Sequence, residues 1–373
     1  MREIVLKITH IASGDLWAGA EAQLLTLCKS LNSAKELSIE VILLNNGELA
    51  NRLKYYDIEV LIINEQKYNS YQIFKKIKKH LLTSQSQLVH THRKKENIIG
   101  GLAAKYVGIP SMRTVHGDIE ITHAWKKPHK LLINYLNWLI GRFIQNKLIA
   151  VSHELRKVLI EYYPESKVAT IENGVDIDSI LNNAKMTLPS YNTERLKIAI
   201  VGRLVQVKRV DIFLNIAKYC TDNLPYLNAE FFIFGDGPLM DKLKESCSKM
   251  GIDSVVHFQG HTSNIHASIA QMDILLITSD HEGLPMTLLE AMTLGTPVIA
   301  HSVGGITKAL KEGNAGILIE SNITENYVAA IERYIDDQLF ITKILSNAKA
   351  EIKDNYSSEL NASHYLNEYK SLL

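Results

Sequence analysis

No stretch of this sequence approaches the roughly 18 uninterrupted apolar residues of a membrane-spanning helix, so none is expected. The opening run, Met1 to Lys7, carries Arg2, Glu3 and Lys7 among its apolar residues and reads as a strand, not as a secretory leader. Cysteine is scarce. Cys28, Cys220 and Cys247 lie scattered without C-x-x-C spacing, which reads as three reduced thiols in a cytosolic protein. Internal repeats and low-complexity tracts are absent. Net charge is also nearly absent, at +1, and no nucleic-acid partner is expected. That balance conceals an asymmetry: residues 1–180 hold 24 Lys and Arg against 18 Asp and Glu, and the remainder holds 17 against 22. A basic first half suits an anionic acceptor or an anionic membrane surface, although so small a surplus is also what ordinary solvated surface carries.

What is present is enough chain for two domains. At 373 residues, 46% hydrophobic and 22% charged, each half can bury its own core. Short apolar runs punctuate the first half: Ile4 to Ile8, Glu40 to Leu44, Val60 to Ile63, Leu88 to His90, Arg113 to Val115, Leu148 to Val151 and Val168 to Ile171. Helical patterns separate most of them, the signature of βαβ units and a largely parallel sheet. The chain turns polar from Asn182 to Glu194, then the pattern restarts with Lys197 to Val201, Glu230 to Phe234, Val255 to Phe258, Ile274 to Ile277, Val298 to Ala300 and Gly316 to Ile319. The expectation is an α/β protein of two doubly wound Rossmann-like domains, 1–185 and 186–355, followed by a C-terminal helical segment, 356–373.

The stretch richest in chemistry is Asp273 to Ala300, read as strand, loop, helix and strand, with the loop Ser279 to Pro285 at the strand's C-terminal end. Ligands of open α/β sheets bind at such ends, against helix amides suited to phosphate. Glu282 lies in the loop and Glu290 in the helix. One continuous helix would set them about 80° apart, so Glu282 makes more sense on the loop and Glu290 a turn into the helix. A carboxylate can take both hydroxyls of a vicinal diol, which suits a sugar or a ribose. The plain alternative is one helix-start Glu and one surface Glu.

The E-x7-E pair in EGLPMTLLEAMTLGTPVIA resembles the signature of the retaining GT-B glycosyltransferases, glycosyltransferase family 4 or group 1. The resemblance implies that Glu282 contacts the donor hexose and Glu290 the ribose. It also implies that the two domains face each other across a cleft and that the last helix, within Ser358 to Leu372, crosses back to the first domain. Around the pair, Gly283, Leu284, Pro285, Met286 and Thr287 would line the donor site.

Other motifs take their roles from the same resemblance. Arg203 and Lys208 follow a strand and Gly202; a planar fork and a mobile point charge can hold two phosphates and neutralise a departing diphosphate. They match the cations that grip the donor diphosphate in the family. Ala18-Gly19-Ala20-Glu21 corresponds to the family's glycine-rich turn, with Gly19 near the donor; such turns are also common as plain structure. Phe258-Gln259-Gly260 resembles an element lining the base pocket, and Phe258 is equally suited to the core. His116 ends a strand in Val115-His116-Gly117-Asp118, where the family places a His that contacts the transferred sugar from across the cleft.

Two motifs read as structural. His90 and His92, at i and i+2 at a strand end, are expected to point apart, so joint metal ligation is not expected and a loop near the acceptor is preferred. Asp176-Ile177-Asp178 follows Asn173-Gly174-Val175 and matches the family's turn instead of a metal-binding D-x-D; Asp176 reads as a turn or cap residue. The segments Trp125 to Lys147 and Tyr71 to Leu82 mix basic and aromatic residues and read either as membrane-surface helices or, preferably, as amphipathic helices packed on their own sheet.

These readings combine into a cytosolic enzyme, peripheral on the inner membrane face, that moves a hexose or N-acetylhexosamine from a nucleotide-diphosphate sugar, UDP favoured, to a glycan or lipid-linked acceptor. Retention of configuration follows from the resemblance, and no cofactor or metal is expected. The rivals are a nucleotide-sugar-binding regulator without turnover, and a phosphorylase or epimerase on the same fold.

Overall fold

A computed structural model describes residues 6–15, 17–34, 36–117, 128–185 and 195–373, with the side chains of 128–130 excepted. The opening pentapeptide, Asp118, the basic stretch 125–127 and the polar stretch 186–194, all singled out above, lie outside the described residues. Every apolar run named above becomes a strand. In chain order they are β1 Leu6–Ala12, β2 Leu37–Leu43, β3 Glu59–Ile62, β4 Leu88–Thr91, β5 Ser111–Val115, β6 Lys147–Ala150, β7 Val168–Thr170, β8 Leu196–Val201, β9 Ala229–Phe234, β10 Val256–Gly260, β11 Ile274–Ile277, β12 Val298–His301 and β13 Ile317–Ile319. The first seven form one sheet in the order β3-β2-β1-β4-β5-β6-β7 and the last six another, β10-β9-β8-β11-β12-β13. All pairings are parallel. Strands covered by helices on both faces read as continuous apolar runs, which is why β11 is buried at every residue.

In each sheet the strand order reverses direction once, at β1/β4 in the first and at β8/β11 in the second. There the crossover helices on either side depart to opposite faces and leave the neighbouring loops uncovered. Most of the chemistry-bearing motifs follow β1 and β4, or β8 and β11; His116 follows β5, and Phe258-Gln259 lies in β10.

Packing divides the chain into Met1–Gly174 with Ser358–Leu373, and Val175–Ser357. Expectation set the first boundary near residue 185. The helix Ile177–Ala184 packs instead against the second unit's helices Ile265–Ile269 and Met286–Leu294, which moves the division to Gly174. Asp176 caps that helix, its carboxylate accepting the Ser179 amide at 2.9 Å, so the apparent D-x-D is a cap, as its turn context implied. The three cysteines are free and buried.

The terminal helix Ser358–Leu372 belongs to the first unit. Asn361 donates to the Glu172 carbonyl (2.6 Å) and accepts from Gln23 (3.2 Å), while Ala362, Tyr365 and Tyr369 enter the core beside Leu24, Leu27 and Ile149. The helix Ser70–Ser84 buries Ile73, Ile77 and Leu81 and turns Tyr71 and Leu82 to solvent, the packed amphipathic arrangement preferred above.

Trp17 and Trp138, the tryptophans among the described residues, fall in the first unit, so their fluorescence reports its unfolding. Tyr369→Ala is expected to lower its stability in urea by about 3–5 kcal/mol through the cavity left in the core. Tyr369→Phe, which keeps the ring and strands two imidazole hydrogen bonds, is expected to cost about 1–3 kcal/mol. Equal midpoints for wild type and Tyr369→Ala would show that the helix does not anchor this core.

Candidate functional site

In the second unit, β8 runs into Gly202, Arg203, Leu204 and a single 3-10 turn, Gln206–Lys208. β11 runs into the loop that ends at Pro285, where the helix Met286–Leu294 starts. Because β8 and β11 are hydrogen-bonded neighbours, these loops, some seventy residues apart in sequence, are placed side by side. A set of bonds then ties them. The Asp280 amide donates to the Val207 carbonyl at 2.9 Å, and Thr278 Oγ1 donates to the Lys208 carbonyl at 2.8 Å. Arg209 holds a left-handed backbone (φ 48°), a conformation costing a non-glycine residue about 1 kcal/mol or more. Its guanidinium bridges Asp211 and, at 3.0 Å, Asp280, which holds the turn in place. Asn322, from beyond β13, donates to the Thr278 carbonyl at 2.9 Å and reaches Asp280 at 3.2 Å.

On this frame Lys208 Nζ meets Glu282 Oε1 at 2.5 Å, both side chains partly exposed. Gly202, Arg203, Leu204, Lys208 and Phe234 line a small pocket beside the pair. Arg203 is exposed and has no carboxylate partner among the described residues. A lysine ammonium has three donors, so Lys208 can keep Glu282 and still receive an anion, with Arg203 as a second cation. Glycine is required where these loops close. A Cβ on Gly235 (φ +124°) would lie 2.0 Å from the Gly202 carbonyl oxygen, and one on Gly304 (φ +55°) would lie 2.0 Å from that of Glu282.

Gly283, Leu284, Pro285 and Met286 are buried and Thr287 half-buried as the loop passes into the helix. Pro285 precedes the first turn, and no side chain caps it, so the leading amides of the helix are available to an anion. Glu290, 9% exposed, lies one turn further on, with His266 Nε2 3.5 Å from its Oε1. The other nitrogen of His266 is 3.3 Å from the Asn183 amide. Lys208, Arg203 and Glu282 are thus gathered at one place, and Glu290 has a separate partner, His266, on the preceding helix Ile265–Ile269. Phe258 and Gln259 end the edge strand β10; Phe258 leans on the unit's core and Gln259 is exposed. Asp280, Thr278, Arg209, Asn322 and His266 escaped the sequence reading, because each works through a partner distant in sequence.

In the first unit, Gly19 starts the helix Gly19–Asn32 at the surface. Glu21, 3% exposed, pairs with Arg93. Burial raises the Glu21 carboxyl, with Arg93 opposing. His116, just past β5, stacks on His92 with ring centroids 5.8 Å apart. His90 and His92 lie together, centroids 4.4 Å apart, and not pointing apart as expected: strand alternation has a period of two, so residues i and i+2 share a face. His10 pairs in register with His90 across β1 and β4 and joins them. One nitrogen from each of His10, His90 and His92 lies within 4.8 Å of the others. Burial lowers the His10 and His116 pKa values to about 3, Arg93 and Arg113 adding to the effect on His116. Burial first, then their neighbours, brings His90 and His92 well below the ordinary range. Burial therefore favours the neutral form of all four rings.

Comparison with known proteins matches residues 188–352 to the model described as glycosyl transferases group 1 and residues 17–179 to that of glycosyltransferase family 4, together most of the chain. The chain is 26% identical over 347 residues to an Escherichia coli UDP-Gal:alpha-D-GlcNAc-diphosphoundecaprenol alpha-1,3-galactosyltransferase, covering 90% of this chain and 89% of that protein. It is 28% identical to the N-acetyl-alpha-D-glucosaminyl L-malate synthase of Bacillus anthracis over 73% of this chain and 71% of that one. Among solved structures, Anabaena HepE in complex with UDP and glucose superposes with a TM-score of 0.83 at 20% identity, over 98% of this chain and all of the other.

Gly304→Ala is expected to destabilise the second unit by about 1–3 kcal/mol, because a forbidden φ and a backbone clash act together. Thermal unfolding checks this, and an unchanged transition would show that the Glu282 carbonyl is free to move away.

Proposed function

Since this chain belongs to the family 4, or group 1, glycosyltransferases and has the two Rossmann-like units of the GT-B fold, we propose that it transfers a hexose or N-acetylhexosamine from a UDP-sugar to a hydroxyl of a glycan or lipid-linked acceptor in surface polysaccharide biosynthesis, with retention of configuration. The observation that carries this reading is the meeting of Lys208 and Glu282 beside Arg203, at a strand-order reversal and against an uncapped helix start. It offers cations for a diphosphate and a carboxylate for sugar hydroxyls in one place. The UDP-sugar preference is supported by the E. coli relative, whose name specifies a UDP-galactose donor and a lipid diphosphate acceptor, and by the nucleotide bound to Anabaena HepE.

In the proposed reaction Arg203, Lys208 and the amides of Met286 and Thr287 stabilise the leaving diphosphate. The cost of separating that charge falls because the donors are already oriented when the bond breaks. Glu282 fixes the hexose, Glu290 the ribose, and His116, neutral and therefore able to donate or accept, a sugar hydroxyl. The face of the sugar left by the diphosphate is the one attacked, with a diphosphate oxygen taking the acceptor proton; the bond to the diphosphate breaks as the bond to the acceptor oxygen forms. The cationic side chains carry the developing charge, so the reaction needs no metal or cofactor. The first unit takes the acceptor, with Gly19 near the donor, and Phe258 and Gln259 contribute to the base pocket.

No helix among the described residues is long and apolar enough to cross a membrane. A peripheral contact with an anionic membrane face is part of the proposal. It is supported by the helix Pro128–Leu139 and the turn after it, which leave Leu132, Tyr135 and Phe143 more than half exposed.

Transfer is expected to fall by at least about 1,000-fold in Glu282→Ala and Lys208→Ala, with the fold retained by circular dichroism. Full activity in either variant would sink the assignment. In a thermal-shift panel of UDP, GDP and ADP sugars, one UDP-sugar at 100 times its Kd is expected to stabilise the folded chain by about 2.7 kcal/mol. Selective stabilisation by a GDP- or ADP-sugar would replace the donor.

A further inference from the structure

Beneath His116 lies a chain of hydrogen bonds that the proposed reaction does not use. His92 Nε2 is 3.0 Å from His10 Nδ1; His10 Nε2 is 3.4 Å from the Tyr369 hydroxyl; that hydroxyl is 2.8 Å from His90 Nδ1; His90 Nε2 is 2.8 Å from Thr114 Oγ1, which in turn meets the Tyr365 hydroxyl at 2.8 Å. Every ring nitrogen of His10 and His90 is engaged. Two atoms are not: among the described residues His92 Nδ1 and His116 Nε2 are buried without a partner, on stacked rings at the ends of the adjacent strands β4 and β5. Buried polar atoms in native proteins are nearly always paired, so two orphans side by side require a reason.

The chain fixes what the orphan on His92 is. A phenol has one proton, and at Tyr369 the shorter contact is the one to His90 Nδ1, so the hydroxyl donates there. His90 Nε2–H then donates to Thr114. The Tyr369 oxygen accepts from His10 Nε2–H, which leaves His10 Nδ1 as an acceptor, and only His92 Nε2–H can fill it. His92 Nδ1 is therefore a bare lone pair, fixed in that state by a tyrosine of the terminal helix. A metal ion fits this cluster poorly. Binding one across His10, His90 and His92 would break the bonds to Tyr369 or Thr114, and it would set a cation beside Arg93 with no carboxylate in the trio.

We propose that His92 is a second ligand-contacting imidazole of the first unit, its Nδ1 accepting a hydrogen bond from a hydroxyl of the acceptor sugar, next to the transferred sugar that His116 would contact, with His10, His90 and Tyr369 as positioning residues that hold its tautomer. This rests on the glycosyltransferase reading and names a residue that specifies its acceptor. A neutral acceptor buried among neutral rings discriminates for a hydroxyl, because a deoxy sugar at that position would leave the lone pair unpaired. The lowered basicity of the ring keeps it an acceptor across the physiological range.

Two substitutions separate contact from support. Gln at position 92 keeps an amide to donate to His10 and lacks an acceptor at the Nδ1 position; Asn places an oxygen there and loses the link to His10. In the full-length protein, His92→Gln is expected to melt with the wild type and bind UDP-sugar within about twofold, while acceptor kcat/KM falls about tenfold or more. His92→Asn is expected to stay within about threefold of wild type in kcat/KM, with a lower melting temperature. Independently of turnover, histidine ring spectra of the wild type titrated with methyl α-D-galactoside and methyl α-N-acetylglucosaminide are expected to show the His92 and His116 signals moving together. Wild-type transfer by His92→Gln, equal losses in the Gln and Asn variants, or a His92 signal that stays fixed in the titrations overturns the inference. Absence of any nucleotide-sugar binding by the wild type would instead sink the glycosyltransferase reading, and the titrations alone would then decide the role of His92.

Discussion

The second unit depends on the parallel pairing of β8 with β11, at the one place where its sheet reverses strand order. Crossover helices leave that crevice uncovered, and Arg203, Lys208, Glu282 and the leading amides of the helix Met286–Leu294 lie on or beside the loops that flank it. The pairing alone does not bring Lys208 to Glu282. Bonds from Thr278, Asp280 and Asn322 lock the turn, and Arg209 accepts a left-handed backbone to complete it. Strain stored in one residue is thus held by a network that also orients a lysine, and the same closure explains why Gly304 must lack a side chain.

The first unit repeats the topology with different chemistry. Its reversal, between β1 and β4, gathers neutral imidazoles under a helix that arrives from the far end of the chain. Burial that would be ruinous for charged groups suits a hydrogen-bonded neutral chain, in which each ring's tautomer is decided by the next group's proton. One unit therefore concentrates cations on exposed loops, where charge is solvated until a ligand arrives. The other concentrates neutral donors and acceptors in the interior, where hydroxyl recognition is sharpest. A diphosphate and a sugar hydroxyl ask for those two environments in that order.

Much of this was legible in the chain. Fully buried parallel strands are continuous apolar runs, so the thirteen strands among the described residues could be located and the doubly wound class followed from their alternation with helices. Asp176 announced itself as a cap through its turn context. Arg203, Lys208, Glu282 and Glu290 were named by motif. The misreading at His90 and His92 has a simple source: alternation sends neighbouring residues to opposite faces, and residues two apart to the same one. The domain division was drawn at the polar stretch, whereas Ile177–Ala184 packs onto the second unit.

By itself, then, the sequence determined the elements, their parallel arrangement and the residue types at the strand ends, because periodicity, turn chemistry and local motif are properties of neighbouring residues. Which of those residues meet was decided by the tertiary structure. The Lys208–Glu282 pair spans 74 positions, the Asn322–Asp280 contact 42, and the His10–Tyr369 contact 359. Separations of that order carry no local signal. They arise only once each sheet has set its strand order, since it is the hydrogen-bonded neighbourhood of β1 with β4 and β8 with β11 that turns distant residues into adjacent ones.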